Sequence, residues 1–198
     1  MDGTLRVASQ SDAAAIEDIY APVVEQSHVS FETTPPDVAA VKERIRTTVD
    51  RFPWLVCEYD GQVVGYTYAG EHNDRPAYQW GVNVSVYVAE DYRRNGVARG
   101  LYQSLFAMLE AQGFFTVYAI ITLPNPPSVA LHEELGFERV GLYEKAGYKL
   151  GDWRDVGHWE HVLRPHETPP SSPTPFDAFR TTEECNDALR VGEPSIRL

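Results

Sequence analysis

The chain has 198 residues, 43% hydrophobic and 12% aromatic, the size and make-up of one globular domain with a proper core. Its 17 Lys and Arg stand against 29 Asp and Glu, and the formal charge of −12 excludes a general nucleic-acid binder because phosphate backbones repel such a surface. No apolar run approaches the ~18 residues that span a bilayer, and Met1-Asp2-Gly3-Thr4-Leu5-Arg6 carries no export signal, so a cytoplasmic protein without membrane contact is expected. Two cysteines, Cys57 and Cys185, do not make a disulfide framework.

In chain order, Leu5–Ala8 reads as a short strand and Asp12 as the cap of a helix reaching Glu25, with Ile16, Ile19, Tyr20 and Val23 on one face. Gln26–Pro36 is a polar loop, and a second helix starts near Pro36-Asp37 with Val38, Val41 and Ile45 at helical spacing. Two strands, Trp54–Tyr59 and Gln62–Ala69, flank Asp60-Gly61, a two-residue hairpin turn. A strand is predicted over Tyr78–Val88, a helix over Gly96–Gln112 and an apolar strand over Phe114–Thr122. The next helix opens at Pro126-Pro127 and ends at Gly136, a residue suited to the left-handed position after a helix. Segments at Glu138–Tyr143 and Asp155–Leu163 complete the sheet. From Pro165 the composition turns to Pro, Ser and Thr, so residues 1–164 form the domain and 165–198 a disordered or loosely docked tail, in which Phe176, Phe179 and Leu189 leave room for a short docking helix.

The junction between strand and helix carries the chemistry. Arg94-Asn95-Gly96-Val97-Ala98-Arg99 follows the alternating Val82–Val88 run, so that glycine lets the backbone approach a ligand and the free N–H groups of the helix start face its anionic oxygens. Strand, this cradle, helix, strand, Asn125-x-x-Ser128, helix and Leu135-Gly136-Phe137 follow one another in the order of the GNAT N-acetyltransferases. Phe52-Pro53-Trp54-Leu55-Val56, Arg75-Pro76-Ala77-Tyr78, Ser85-Val86-Tyr87-Val88 and Asp155-Val156-Gly157 resemble the phosphinothricin and methionine sulfone acetyltransferases of that superfamily. The resemblance spans about residues 4–164.

The resemblance implies an α/β GNAT fold: a mixed, mostly antiparallel sheet splayed at its centre, helices on both faces, and acetyl-CoA in the splay. It implies N-acetylation of a small amino acid or analogue by direct transfer, no metal, and a homodimer. By the same likeness the backbone of Val86, Tyr87 and Val88 pairs with the pantetheine arm. Arg94, Asn95, Gly96, Val97, Ala98 and Arg99 hold the pyrophosphate, Asn125 anchors the cofactor further along, and Phe31, Arg75 and Tyr78 line the acceptor pocket. A guanidinium suits a carboxylate or phosphinate in bidentate geometry.

Two positions bear on catalysis. His132 stands where these enzymes carry a group assigned to proton exchange at the CoA sulfur, a task that imidazole suits near neutral pH. The likeness also implies a Glu base three residues before the Val-Tyr-Val segment, where this chain has Asn83, and an amide takes no proton from an ammonium group. Three routes remain open: Asn83 holds a water that relays the proton to Glu32, Glu71, His72 or His158, the amine enters already neutral at some cost in rate, or the chain binds acetyl-CoA without efficient catalysis. Acetylation of a different amine, or an acetyl-CoA sensor without turnover, are the other readings.

Overall fold

The computed structural model describes residues 3–198. Its elements in order are β1 (Thr4–Val7), α1 (Ala13–Gln26), α2 (Val38–Thr48), β2 (Trp54–Tyr59), β3 (Gln62–Glu71), β4 (Gly81–Val88), α3 (Val97–Gln112), β5 (Thr116–Leu123), α4 (Pro126–Glu134), β6 (Glu138–Lys149), β7 (Asp152–Val162), α5 (Phe176–Phe179) and α6 (Glu183–Arg190). The strands form one open seven-stranded sheet in the order β1-β2-β3-β4-β5-β7-β6, with β4 and β5 parallel and the other neighbours antiparallel. This is the expected mixed, mostly antiparallel arrangement.

Strand alternation distributes the core over two faces. Leu55 and Cys57 of β2 and Val82 and Val84 of β4 pack on one face with Leu101, Leu105 and Met108 of α3. Trp54 and Val56 of β2 pack on the other with Ile16, Tyr20 and Val24 of α1 and Val41 and Ile45 of α2. The β2–β3 turn has the predicted geometry, with Asp60 at φ 49° and Gly61 at φ 74°. At the start of α1, Asp12 holds the cap position but its side chain makes no capping bond to the helix; its carboxylate instead receives Arg6 of β1 through two bonds of 2.7 and 2.9 Å and the Ser9 N–H at 2.7 Å, fastening helix to strand.

The β4–β5 pairing positions the site. It covers only Gly81–Thr116, Val82–Val117 and Asn83–Tyr118, although both strands run on beyond. Past Asn83 the two strands diverge, leaving a wedge whose β4 wall is Val84–Val88. One edge of that wall is held by β3 through Val88, and the other edge is unpaired among the described residues.

Three segments differ from the expectations. Tyr78 lies in a 3-10 turn, Pro76–Tyr78, and the strand begins at Gly81, because Pro76 starts a helical turn more readily than it enters a sheet ladder. The β6–β7 hairpin is longer than its apolar pattern, running to Lys149 and back from Asp152, with irregular register after Arg139 and after Tyr143. Its far end meets the α1–α2 loop: Lys149 Nζ donates to the Ser30 carbonyl at 2.6 Å, and His28 Nε2 lies 3.0 Å from the Lys149 carbonyl oxygen.

Residues 165–198, read from composition as disordered or loosely docked, pack on the domain. Phe176 and Phe179 are buried in the same cluster as α3, with Cys185 and Ala188 behind them. Gln112 donates to the Thr174 carbonyl at 2.8 Å, and Ser104 Oγ donates to the Leu189 carbonyl at 2.6 Å. The signal was faint because α5 is a single turn and α6 buries only small side chains. Close approach comes instead from Gly100 and Gly192, where a Cβ on Gly192 would overlap the Gly100 carbonyl.

Candidate functional site

The wedge leads from Asn83 to the start of α3. Gly96, at φ 79°, turns the chain into that helix, and Arg94 beside it also adopts a left-handed conformation at φ 64°. The first α3 amide with an acceptor within its own helix is that of Gly100, on the Gly96 carbonyl at 2.9 Å, which leaves the N–H groups of Val97, Ala98 and Arg99 without intrahelical partners. Such a helix start favours phosphate oxygens. Arg94 is exposed and has no ion pair among the described residues, whereas Arg99 is turned toward Glu134 of α4. The cradle has a further wall that the sequence did not reveal. Arg197 N–H donates to the Asn95 carbonyl at 2.9 Å, and a Cβ on Gly96 would overlap the Ser195 carbonyl.

Val86 and Val88 face the α3 side, while Tyr87 turns to the α1 side, edge-on to Tyr20 at 4.9 Å and stacked on Tyr66 at 5.3 Å. What these three residues offer the wedge is backbone, since alternate N–H and C=O groups on the unpaired edge need partners. Across the wedge, Asn125 caps α4 through its Oδ1, which accepts the Ser128 N–H at 3.4 Å; its Nδ2 is not used in that contact.

Asn83 lies at the vertex, on the face opposite Val82 and Val84. Its Oδ1 is 3.0 Å from His72 Nδ1, and its Nδ2 donates to the Glu71 carbonyl at 3.2 Å. The His72 ring stacks on Tyr118 at 4.0 Å and meets Tyr78 edge-on at 6.1 Å. His72, Tyr78, Trp80, Phe115, Tyr118 and His166 are among the residues lining a hollow of about 190 Å³ at the beginning of β4 and β5. The hollow and the wedge approach Asn83 from opposite ends. Tyr118 was not singled out from sequence, although its register opposite Asn83 puts it on the same face; burial and the nearby Glu160 raise its hydroxyl pKa.

The four relay positions separate cleanly. Glu32 is held by Arg44 at 2.9 and 3.0 Å and by the Tyr20 hydroxyl at 3.0 Å, and the guanidinium keeps its carboxyl below the ordinary range. Glu71 pairs with Val82, so its carboxylate shares the α3 face and meets Arg51 at 3.0 Å, away from the Asn83 side chain. His158 lies over β5 opposite Ile120, its ring 4.4 Å from Tyr143. His72 is the one that touches Asn83.

His132, expected to exchange a proton at the sulfur, is enclosed by side chains from α3 and from the residue that precedes β6. It is 4% exposed, walled by Phe137 and Tyr102, with Nδ1 2.7 Å from the Ser128 carbonyl and Nε2 3.1 Å from the Tyr102 hydroxyl. A carbonyl only accepts, so Nδ1 carries the proton and Nε2 accepts from Tyr102. Both nitrogens are engaged, and burial pushes the imidazole pKa down despite the Ser128 bond.

Phe31 stands apart from the other two expected acceptor residues, which share one turn in which the Tyr78 N–H donates to the Arg75 carbonyl at 2.9 Å. Tyr78 lines the hollow and is 47% exposed, whereas Arg75, three residues earlier, is exposed without an ion pair among the described residues. Phe31 lies against β6, where a Cβ on Gly147 would overlap its ring, so it belongs to the loop-and-hairpin contact at Lys149.

Residues 5–158 match the family model described as an acetyltransferase (GNAT) domain. The chain belongs to the GNAT acetyltransferases. It is 44% identical over 156 residues to the phosphinothricin N-acetyltransferase of Streptomyces viridochromogenes, covering 79% of this chain and 85% of that protein. It is 31% identical over 172 residues to the L-methionine sulfoximine/L-methionine sulfone acetyltransferase of Pseudomonas aeruginosa, covering 86% of this chain and all of that one. Among solved structures, the phosphinothricin acetyltransferase of Sinorhizobium meliloti in complex with acetyl-CoA superposes with a TM-score of 0.82 at 34% identity, over 88% of this chain and 94% of that one. These relatives support an N-acetyltransferase activity for this GNAT chain. Among the described residues, no helix is long and apolar enough to cross a membrane.

Proposed function

We propose that this GNAT chain transfers an acetyl group from acetyl-CoA to the α-amine of a small amino acid or analogue, of the phosphinothricin or methionine sulfone type, within a ternary complex. The observation that carries this reading is the wedge that opens beyond Asn83 and leads to the Gly96 helix start. The unpaired edge of Val84–Val88 suits the amide groups of pantetheine, and the cradle suits the pyrophosphate. The cofactor then enters from one end of the site and the acceptor from the hollow at the other. At about 190 Å³ the hollow is smaller than the ~300–1,000 Å³ of drug-sized pockets, which favours an amino acid over a peptide. Arg75, exposed and without an ion pair among the described residues, supplies a cation for a carboxylate or phosphinate.

In the reaction the ammonium group loses one proton, and the amine nitrogen attacks the thioester carbonyl. A free β4 N–H at the vertex stabilises the oxyanion. Collapse breaks the C–S bond and leaves its electron pair on sulfur, which takes the second amine proton to give the CoA thiol. His132 serves by holding Tyr102 and the first turns of α4, since its own proton is committed to Ser128. The functional unit is a homodimer built on the β6–β7 hairpin, where Tyr143, Tyr148, Leu150 and Trp153 are all more than half exposed. Sedimentation of the protein as a monomer at micromolar concentration would overturn that assembly.

Thiol release from acetyl-CoA, measured with phosphinothricin, methionine sulfone and a polyamine, tests the activity. Turnover with the first two is expected. Exclusive use of the polyamine would reassign the acceptor, and tight acetyl-CoA binding without acetylation of any amine would make the chain a sensor.

A further inference from the structure

We propose that His72, oriented by Asn83, is the group that takes the proton from the acceptor's ammonium. This rests on the acetyltransferase reading above and names a base where the expected carboxylate is missing.

The hydrogen bonds fix the ring's state. Asn83 Nδ2 donates to the Glu71 carbonyl, which can only accept, so the amide is oriented with Oδ1 toward His72. An amide oxygen also only accepts, so His72 Nδ1 must carry the ring proton. The Nε2 lone pair is left to receive a proton. Stacking on Tyr118 at 4.0 Å fixes the ring plane, and the ring lines the hollow assigned to the acceptor. An amide at position 83 thus orients a base without being one. A glutamate there would compete for the proton and draw the imidazole into an ion pair.

The titratable groups facing the ring are Tyr78 from the 3-10 turn, Tyr118 from β5 with Glu160 of β7 beside it, and His166 across the hollow. Among the described residues no carboxylate hydrogen-bonds to the ring. The step balances: Nε2 takes one proton from the ammonium and becomes an imidazolium that keeps its Nδ1–H bond to Asn83. The neutral amine then attacks the thioester, and His72 returns its proton to water after product leaves. Asn83 is a positioning residue, and His72 is the catalytic one.

The experiment is the pH dependence of kcat, with saturating phosphinothricin, for the wild type, His72→Phe and Asn83→Ala, together with acetyl-CoA binding by calorimetry. Phenylalanine keeps the stack on Tyr118 and removes the proton acceptor. The expected result for His72→Phe is a loss of about 10²–10⁴-fold in kcat at pH 7, unchanged acetyl-CoA affinity, and a deficit that shrinks as rising pH deprotonates the amine in solution. Asn83→Ala should show a smaller loss of the same pH form, because the tautomer is no longer fixed. A His72→Phe enzyme within twofold of wild type at pH 7, or one whose deficit is equal at every pH, overturns the assignment. Wild type that releases no thiol with any amine overturns the acetyltransferase reading itself, and His72 with it.

Discussion

Arg197 and Asn95 are joined by a backbone hydrogen bond of 2.9 Å, which ties the C-terminal segment to the residue beside the cradle glycine. Gly96 therefore answers two demands at once, a left-handed turn and the passage of Ser195 against it. Gly96→Ala should cost about 1–2 kcal/mol for the φ value alone and more for the overlap. Deleting residues 192–198 should cost about 2–4 kcal/mol, from the burial of Ile196 and the lost hydrogen bonds, and should raise the KM for acetyl-CoA. Combined, the two changes should cost clearly less than their sum, because the shortened chain has no Ser195 to meet. Denaturant unfolding of the four proteins checks this, and strict additivity would show that the overlap is relieved at no cost.

The burial of His132 makes stability depend on pH in a definite direction. Its folded pKa lies below the ordinary 6.5, so between the two values the unfolded chain binds more protons. The contribution is complete above about pH 6.5 and is lost as pH falls from there through the folded value. The melting temperature should therefore decline between pH 7 and pH 5, and His132→Gln should flatten that decline while lowering stability at pH 7. Wild type and variant with parallel slopes would place the sensitive group elsewhere.

Arg75 has no ion pair among the described residues, so its removal is expected to act on the acceptor. Arg75→Ala should raise the KM for phosphinothricin about 10–100-fold, the equivalent of one charge-assisted hydrogen-bonded pair, with kcat little changed. Arg75→Lys should recover only part of this, since an ammonium lacks the planar fork. Steady-state kinetics with both substrates varied separates this from an effect on acetyl-CoA.

Asn125 caps α4 and, in the proposed function, also lies beside the cofactor. Asn125→Ala should destabilise by about 0.5–2 kcal/mol through loss of the cap. Asn125→Asp keeps an oxygen for the Ser128 N–H but replaces the amide donors with negative charge beside an anionic ligand. Its melting temperature should stay near wild type while the KM for acetyl-CoA rises several-fold.

Much of this site was legible because it depends on local rules. Asp60-Gly61 specifies its hairpin whatever surrounds it, and Gly96 between a strand and an amphipathic helix marks the left-handed turn into the helix start. What depended on register was hidden. His72 meets Asn83 only because the pairing of β3 with β4 sets Gly70 opposite Asn83 and returns the chain past it. His132 stands in a motif associated with proton exchange, yet its surroundings come from Tyr102, thirty positions away on another helix. The tail's contacts are made by glycine backbones and by single aromatic side chains, which leave no periodic trace. The β6–β7 extension escaped because Lys145, at φ 48°, and the register irregularity after Tyr143 break the alternation on which a strand is recognised.

The docked tail has a topological consequence. A Cβ on Gly3 would lie 2.8 Å from Ile196 Cγ2 and 3.1 Å from Leu198 Cδ1, so residues 3 and 198 are neighbours beside β1. A Cβ on Gly61, in the β2–β3 turn, would meet nothing within 4 Å. A chain cut to residues 3–198 can therefore be closed by a short flexible linker and reopened at Gly61. Such a circular permutant would carry its fusion partners on the hairpin turn, at the same end of the sheet as the Gly96 helix start, where Tyr59 meets Tyr92 at 6.1 Å.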